Sequence, residues 1–320
     1  MAMAIPQSRQ GSTHKYLRIQ DLRRLRYLHF ASRRMIEGQL AGRHDSRQRG
    51  HSIEFNDYRQ YMPGDEIGDV DWKVYGRSDK LFIKLYEHET EMTVNMVVDA
   101  SASMAYRGIG EISAGQKVKK EKPLAKFDQA CFLAAAISFL TLKRRDRVSL
   151  GLARKGLIDF QRPSGSMTHL RAVLDAMEFA KPAGQADIAL AIRTISRMVG
   201  RRGLLILLSD LLDDRDAIMK ALAQYMARGS EVIIFHILHG DELRLPEALN
   251  GLFIDSESDE RVRLEIDDVR AAYQEKMKQF LYGWSQACKS RGVDYNLVST
   301  SDNYHEVLRK YLLRRSVRRT

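Results

Sequence analysis

The 320 residues predict an α/β fold built on a mainly parallel sheet flanked by helices, and three observations carry that expectation. From Thr93 onward, apolar runs of strand length alternate with segments of helical periodicity, the pattern of parallel strands joined by helical crossovers. One run, Leu204–Leu208 (LLILL), is too apolar to lie anywhere but mid-sheet, covered on both faces. The chain has roughly two domains' worth of length, so no metal or disulfide staple is needed to build a core.

Taken in order, Thr93–Asp99 (TVNMVVD) reads as the first strand of this sheet and Phe127–Lys143 as a helix with one broad apolar face. Val148–Ala153 is the next strand, followed by helices at Thr168–Lys181 and Ile188–Val199. After the strand 204–208 come a helix at Ala217–Ala227, a strand at Glu231–Leu238 and a hairpin over Phe253–Ile266 that turns at Ser258-Asp259. A long helix Val269–Ser290, a strand Val293–Val298 and a basic helix from Tyr304 complete the pattern. Upstream, Asp21–Leu40 reads as one helix with Asp21 as its N-cap. Ile53–Glu87 reads as short strands, with turns at Pro63-Gly64-Asp65 and at Arg77–Lys80. The expected division is an N-terminal helix and β-subdomain over 1–90 and the parallel-sheet domain over 91–320. In the former, Glu54, Asp57, Asp65, Asp69 and Asp71 lie among Arg59, Lys73, Arg77 and Lys84, which reads as internal ion pairing with Trp72 as anchor before it reads as a hydrolytic or metal-binding acidic cluster.

Composition excludes several classes. A hydrophobic fraction of 44% beside a charged fraction of 29% excludes a chain that is disordered throughout. The longest mostly apolar stretch, Cys131–Leu142, falls short of the roughly 20 residues that cross a bilayer. No basic segment followed by an apolar one marks a secretory signal. Cys131 and Cys288 read as reduced thiols, so the expected location is the cytoplasm or the periphery of the inner membrane face. The net charge of +11 sits at the ends: residues 1–60 hold 12 Lys/Arg against 5 Asp/Glu, and 305–320 hold 6 against 1. Scattered as pairs on helical segments, these charges read as solvated faces or partner contacts before they read as a nucleic-acid surface.

The segment that carries chemistry is Asp99-Ala100-Ser101-Ala102-Ser103. In an open α/β sheet, ligands bind beyond the carboxyl ends of the strands. Asp99 places a carboxylate at such an end, and the hydroxyls of Ser101 and Ser103 fold back towards it. Asp210, ending the strand LLILLS-D, arrives at the same edge. Such a set of hard oxygen donors suits Mg²⁺ or Mn²⁺. With mostly neutral ligands the ion would keep an open position, which a partner protein's carboxylate would complete.

These residues resemble the metal-ion-dependent adhesion site of the von Willebrand factor A-type domain, a Rossmann-like fold. The resemblance implies D-x-S-x-S, a Thr from a later loop and a final Asp as ligands. At the Thr position this chain has Ala186, followed by Asp187, so a water would replace one ligand. A longer string is similar to the signature of the bacterial domain of unknown function 58 family. It comprises Gly42-x-His44-x-Ser46, Gly50-x-x-Ile53-Glu54-Phe55-x-x-Tyr58-Arg59-x-Tyr61-x-Pro63-Gly64-Asp65, Asp69-x-Asp71-Trp72-Lys73, Arg77 and Lys84. That resemblance implies a non-catalytic adaptor that partners a MoxR-type AAA+ ATPase and other von Willebrand A-like proteins.

Two other functions compete. Asp99 beside Mg²⁺ would serve a phosphohydrolase as nucleophile, but the second Asp of the D-x-D pattern is here Ser101, which cannot act as an acid. The basic termini would serve nucleic-acid binding. Gly110–Lys117 has the spacing of a phosphate loop but puts Gln116 where the lysine belongs. His236 and His239 lie three apart at a strand end and point to opposite faces, which does not suit a shared metal.

Overall fold

The computed structural model describes residues 14–18, 21, 25, 28, 53–62, 67–88, 92–108, 124–200, 202–245, 250–254 and 261–317. Several expectations lie outside the described residues: the body of the upstream helix, the 42–50 part of the signature, the turns at 63–65 and 258–259, and the 110–117 segment. The chain parts into two compact units, one of residues 1–32 with 92–320 and one of residues 33–91. Of the residues expected in the N-terminal part, the described ones at 14–18, 21, 25 and 28 fall in the larger unit.

In the smaller unit, β1 (Ile53–Gln60) pairs antiparallel with β2 (Phe82–His88), with an irregularity between Phe55 and Asp57. The connection is not all strand. It contains a helix, α1 (Trp72–Ser78), capped by Asp71, whose carboxylate accepts from the N–H of Lys73 at 2.9 Å and from the Tyr58 hydroxyl at 3.0 Å. Asp71 is thus a helix cap. Trp72 is 58% exposed and stands edge-on to Tyr75, so it does not anchor this unit. A seven-residue helix is too short for periodicity to reveal. The turn signal at Ser78-Asp79 instead marks its end, with Asp79 left-handed at φ 52°.

The larger unit holds a six-stranded sheet of order β10-β7-β6-β3-β4-β5. Its strands are β3 (Thr93–Asp99), β4 (Arg147–Arg154), β5 (Gly156–Ser164), β6 (Leu204–Ser209), β7 (Glu231–Leu238) and β10 (Asp294–Ser299). All neighbours are parallel except β4 and β5. The antiparallel edge strand β5 is absent from the sequence reading because its residues are too polar to form an apolar run. Gly156, at φ 94°, turns the chain directly back from β4. Asp159, Arg162 and Pro163 on such an edge disfavour pairing with another chain.

Alternate residues of β3 face opposite helical layers. On one side lies α2 (Lys126–Lys143), buried along nearly its whole length, whose Ser138 approaches Met96. Beside α2 pack α3 (Met167–Phe179) and α8 (Tyr304–Val317). On the other side Val97 joins a core with Ile192 of α4 (Ile188–Met198), Leu222 of α5 (Arg215–Met226) and Trp284 of α7 (Ile266–Ser290). The one polar residue inside β3, Asn95, is satisfied by the hydroxyls of Tyr225 at 2.9 Å and Ser149 at 2.7 Å. A short helix, α6 (Gly240–Leu243), follows β7, and β8 (Asn250–Ile254) with β9 (Arg261–Glu265) forms the expected hairpin. Cys131 and Cys288 are both free and buried.

The upstream helix differs from expectation. Asp21 is already helical, its carboxylate accepts from the N–H of Arg18 at 2.9 Å and meets His305 Nε2 at 2.9 Å, and Leu28 is not helical. Part of the basic C-terminal helix also serves the interior. Arg315 is buried and pairs with Glu231 at 2.6 Å, and Arg314 donates to Asn296 at 2.8 Å.

Candidate functional site

Sheet register brings the expected site together. β3 and β6 run side by side with Val98 opposite Leu208, so Asp99 and Ser209-Asp210 leave the sheet at the same edge. The loop after β3 is held from both sides: Ala100 N–H donates to Ala153 O at 2.8 Å, Ala102 N–H to Gly184 O at 2.8 Å, and Ala183 N–H returns to Ala100 O at 3.0 Å. A 3₁₀ turn over Ser103–Ala105 then folds Ser103 back towards β6. After β6, Leu211 adopts φ 56°, a left-handed conformation that a branched residue rarely takes. Its N–H donates to Ser209 Oγ at 2.9 Å, and the tight bend turns Asp210 into the site.

The hydrogen bonds form two chains. Asp99 is 2% exposed; its Oδ1 accepts from Ser101 N–H at 2.8 Å and its Oδ2 from Ser209 Oγ–H at 2.6 Å. Burial, together with the nearby charge of Asp210, pushes its carboxyl up to about 7. In the second chain Ser101 and Ser103 hydroxyls lie 3.0 Å apart, and Ser103 Oγ–H donates to Asp210 Oδ2 at 2.7 Å. That same oxygen receives the ammonium of Lys126 at 2.8 Å. Lys126 opens α2, is 1% exposed and also meets Glu242 Oε1 at 2.5 Å. Burial pushes the ammonium down, but Asp210 and Glu242 outweigh it and leave Lys126 above the ordinary lysine value.

Glu242 is held in turn. Its Oε2 accepts from His239 N–H at 2.7 Å, at the start of α6, and its backbone carbonyl accepts from Tyr273 at 2.8 Å. Tyr106 covers the cation, its ring centroid 5.9 Å from Lys126 Nζ and its hydroxyl 3.3 Å from Asp241. Gly108 permits this closure: at φ 85°, a Cβ there would lie 2.4 Å from His239 Cε1. Behind Asp210, His236 Nε2–H donates to the Asp210 carbonyl at 2.8 Å and Tyr295 donates to Nδ1 at 2.7 Å. Burial pushes this imidazole down to about 4, so it is neutral.

The structure therefore brings Asp99, Ser101, Ser103 and Asp210 together. Ala186 is half-buried and packs against the apolar core cluster, and Asp187 caps α4 by accepting from Leu190 N–H at 2.7 Å. Lys126, Ser209, Glu242 and His236 were not among the expected site residues. For Lys126 a signal existed: a cation in the first turn of an apolar helix opposes the helix dipole and needs anions nearby.

A divalent ion would need lone pairs at roughly 2.0–2.2 Å. Here the Lys126 ammonium lies 2.8 Å from Asp210 Oδ2, the oxygen that also accepts the Ser103 proton, so a divalent ion on that oxygen would meet a like charge at close range. Among the described residues no group of three His, Cys, Asp or Glu is arranged to hold a metal. With Lys126 in place the donor set does not fit Mg²⁺ or Mn²⁺. His236 and His239 have separate tasks, one behind Asp210 and one capping α6, where its Nδ1 accepts from Asp241 N–H at 3.1 Å.

The family described as Protein of unknown function DUF58 matches residues 57–280, more than two thirds of the chain. Uncharacterised proteins of Mycobacterium tuberculosis (strain ATCC 25618 / H37Rv) and Mycobacterium bovis are each 27% identical over 237 residues, covering 73% of this chain and 70% of theirs. Similar solved structures include BatB from Bacteroides thetaiotaomicron, with TM-score 0.44 and 15% identity over 70% of this chain and 97% of that one. An aerotolerance-related membrane protein from Bacteroides fragilis gives 0.43 and 17% over 68% and 96%, and the SpRpn10 VWA domain 0.37 and 9% over 69% and 95%. Among the described residues no helix is long and apolar enough to cross a membrane.

Proposed function

The chain belongs to the DUF58 family and has a von Willebrand A-like, mainly parallel α/β fold, and on that premise we propose that it is a non-catalytic protein-interaction adaptor. Its partner is a MoxR-type AAA+ ATPase, alongside other von Willebrand A-like proteins, in the cytoplasm or at the inner membrane face. The observation that carries the non-catalytic reading is the sealing of Asp99, buried with both oxygens engaged. A phosphoryl-accepting carboxylate must be reached by its substrate, and this one, 2% exposed, is closed off from solvent.

The docking face consists of the loops bordering the strand tips. Leu212, two residues beyond Asp210, is 55% exposed, and Phe179, at the entrance to the 180–187 loop, is 82% exposed. Large apolar side chains on a loop edge suit a protein partner better than a small substrate. Nucleic-acid binding through the C-terminus is disfavoured by Arg315, which is buried and paired with Glu231.

The test is a binding titration of the full chain against a purified MoxR-type ATPase of the same organism, in ATP and ADP states, followed by interferometry. Binding that Leu212→Asp with Phe179→Asp weakens at least about tenfold, with an unchanged melting temperature, supports the reading. Absence of binding in every nucleotide state overturns the partner. Mg²⁺-dependent phosphoester turnover abolished by Asp99→Asn overturns the adaptor reading in favour of a phosphohydrolase.

A further inference from the structure

Two carboxylates buried at one sheet edge need neutralising, because an uncompensated buried charge is strongly unfavourable. In a metal-dependent strand-tip site a divalent ion would do this. Here an ammonium stands on the Asp210 oxygen that faces the serine hydroxyls: Lys126 Nζ lies 2.8 Å from Asp210 Oδ2, which also accepts the Ser103 proton at 2.7 Å. An ion bound to Asp210 Oδ2 at roughly 2.0–2.2 Å would face this ammonium at close range, and the two like charges exclude one another. The position of Lys126 is not explained by helix preference, since a cation in the first turn of α2 opposes the helix dipole. Its stem is packed out of solvent and its ring neighbour, Tyr106, closes one side. Glu242, pinned by His239 N–H, supplies a second carboxylate from α6.

We infer that the Lys126 ammonium is the resident cation of the strand-tip site, occupying the place of a divalent metal, with Glu242 as the carboxylate that closes it. The site is complete within one chain and takes no Mg²⁺ or Mn²⁺. This stands independently of the partner's identity, and its test uses the protein alone.

The experiment is calorimetry of the full chain with MnCl₂, paired with the electron paramagnetic resonance signal of Mn²⁺. Wild type gives no Asp210-dependent heat and no bound-Mn²⁺ spectrum. Lys126→Ala removes the charge and leaves room for an ion, so it binds Mn²⁺ at least about tenfold more tightly than wild type. Its melting temperature rises with Mn²⁺, and adding Asp210→Asn abolishes both effects. Should Lys126→Ala fold only in the presence of Mn²⁺, that rescue itself supports the inference. Wild-type binding that Asp210→Asn removes overturns it, as does a folded Lys126→Ala that ignores Mn²⁺. Should Lys126→Ala fold under neither condition, the isosteric Lys126→Met with Asp210→Asn decides. That double variant folding without metal supports a charge-pairing role, and its failure to fold assigns Lys126 to packing and overturns the inference.

Discussion

Two aspartates end neighbouring strands of one sheet, equally buried, and their neutralisation differs. At the tip of β3, Asp99 meets neutral donors, the backbone N–H and side chain of Ser101 and the Ser209 hydroxyl, and its carboxyl is pushed up to about 7. At the tip of β6, Asp210 meets an ammonium. The difference teaches that position at a strand end does not fix the charge state of a carboxylate. What crosses the gap to meet it does.

The largest expected effect breaks the β6 side. Lys126→Met keeps the stem volume and leaves Asp210 buried without its cation, which costs about 3–5 kcal/mol. Urea unfolding at pH 7 measures this, and adding Asp210→Asn recovers most of the loss. A cost below about 1 kcal/mol, the range of a surface pair, would erase the contrast between the two tips.

The β3 side gives a pH signature of defined sign. Asp99 titrates at about 7 folded and near the ordinary 3.8 unfolded, so between those values the folded chain holds the extra proton. Its contribution to stability is greatest below pH 3.8 and declines as pH rises to 7. Asp99→Asn abolishes the decline, so the variant gains about 2–4 kcal/mol on wild type across that window. Denaturant midpoints at pH 4, 5.5 and 7.5 measure it; an unchanging difference between the two proteins would show that Asp99 is ionised throughout.

His236, behind Asp210, has the opposite slope. Its value is about 4 folded against 6.5 unfolded, so its contribution is fully present above pH 6.5 and is lost as pH falls towards 4. In His236→Gln the acid-side loss shrinks by about 2–3 kcal/mol relative to wild type. Nuclear magnetic resonance titration of the His236 ring reports the same shift directly. The smallest effect belongs to the outer partner of the ammonium. Glu242 is 21% exposed at its side chain, so water screens it, and Glu242→Gln costs about 1 kcal/mol or less by urea unfolding. A cost matching that of Lys126→Met would transfer the cation's principal anchor from Asp210 to Glu242.

Strands β3, β6 and β7 were legible because each is a nearly unbroken apolar run, which a sheet covered on both faces requires. Asp99 and Asp210 were legible because each is the first acidic residue after such a run. The edge strand β5 and the helix α1 were not, since a polar edge and a seven-residue helix leave no periodic trace. Asp71 read as one of several acids, and only the folded chain shows it capping a helix and receiving the Tyr58 hydroxyl.

The sequence by itself determined the mainly parallel sheet and the presence of carboxylates and hydroxyls at one edge of it, because burial pattern and strand ends are local properties of the chain. The cation among them was decided by tertiary structure alone. Lys126 and Asp210 are 84 residues apart, and Lys126 and Glu242 are 116 apart. A buried electrostatic interaction depends on a separation of a few ångströms. Only the packing of α2 against the sheet, and of α6 beyond β7, sets that separation.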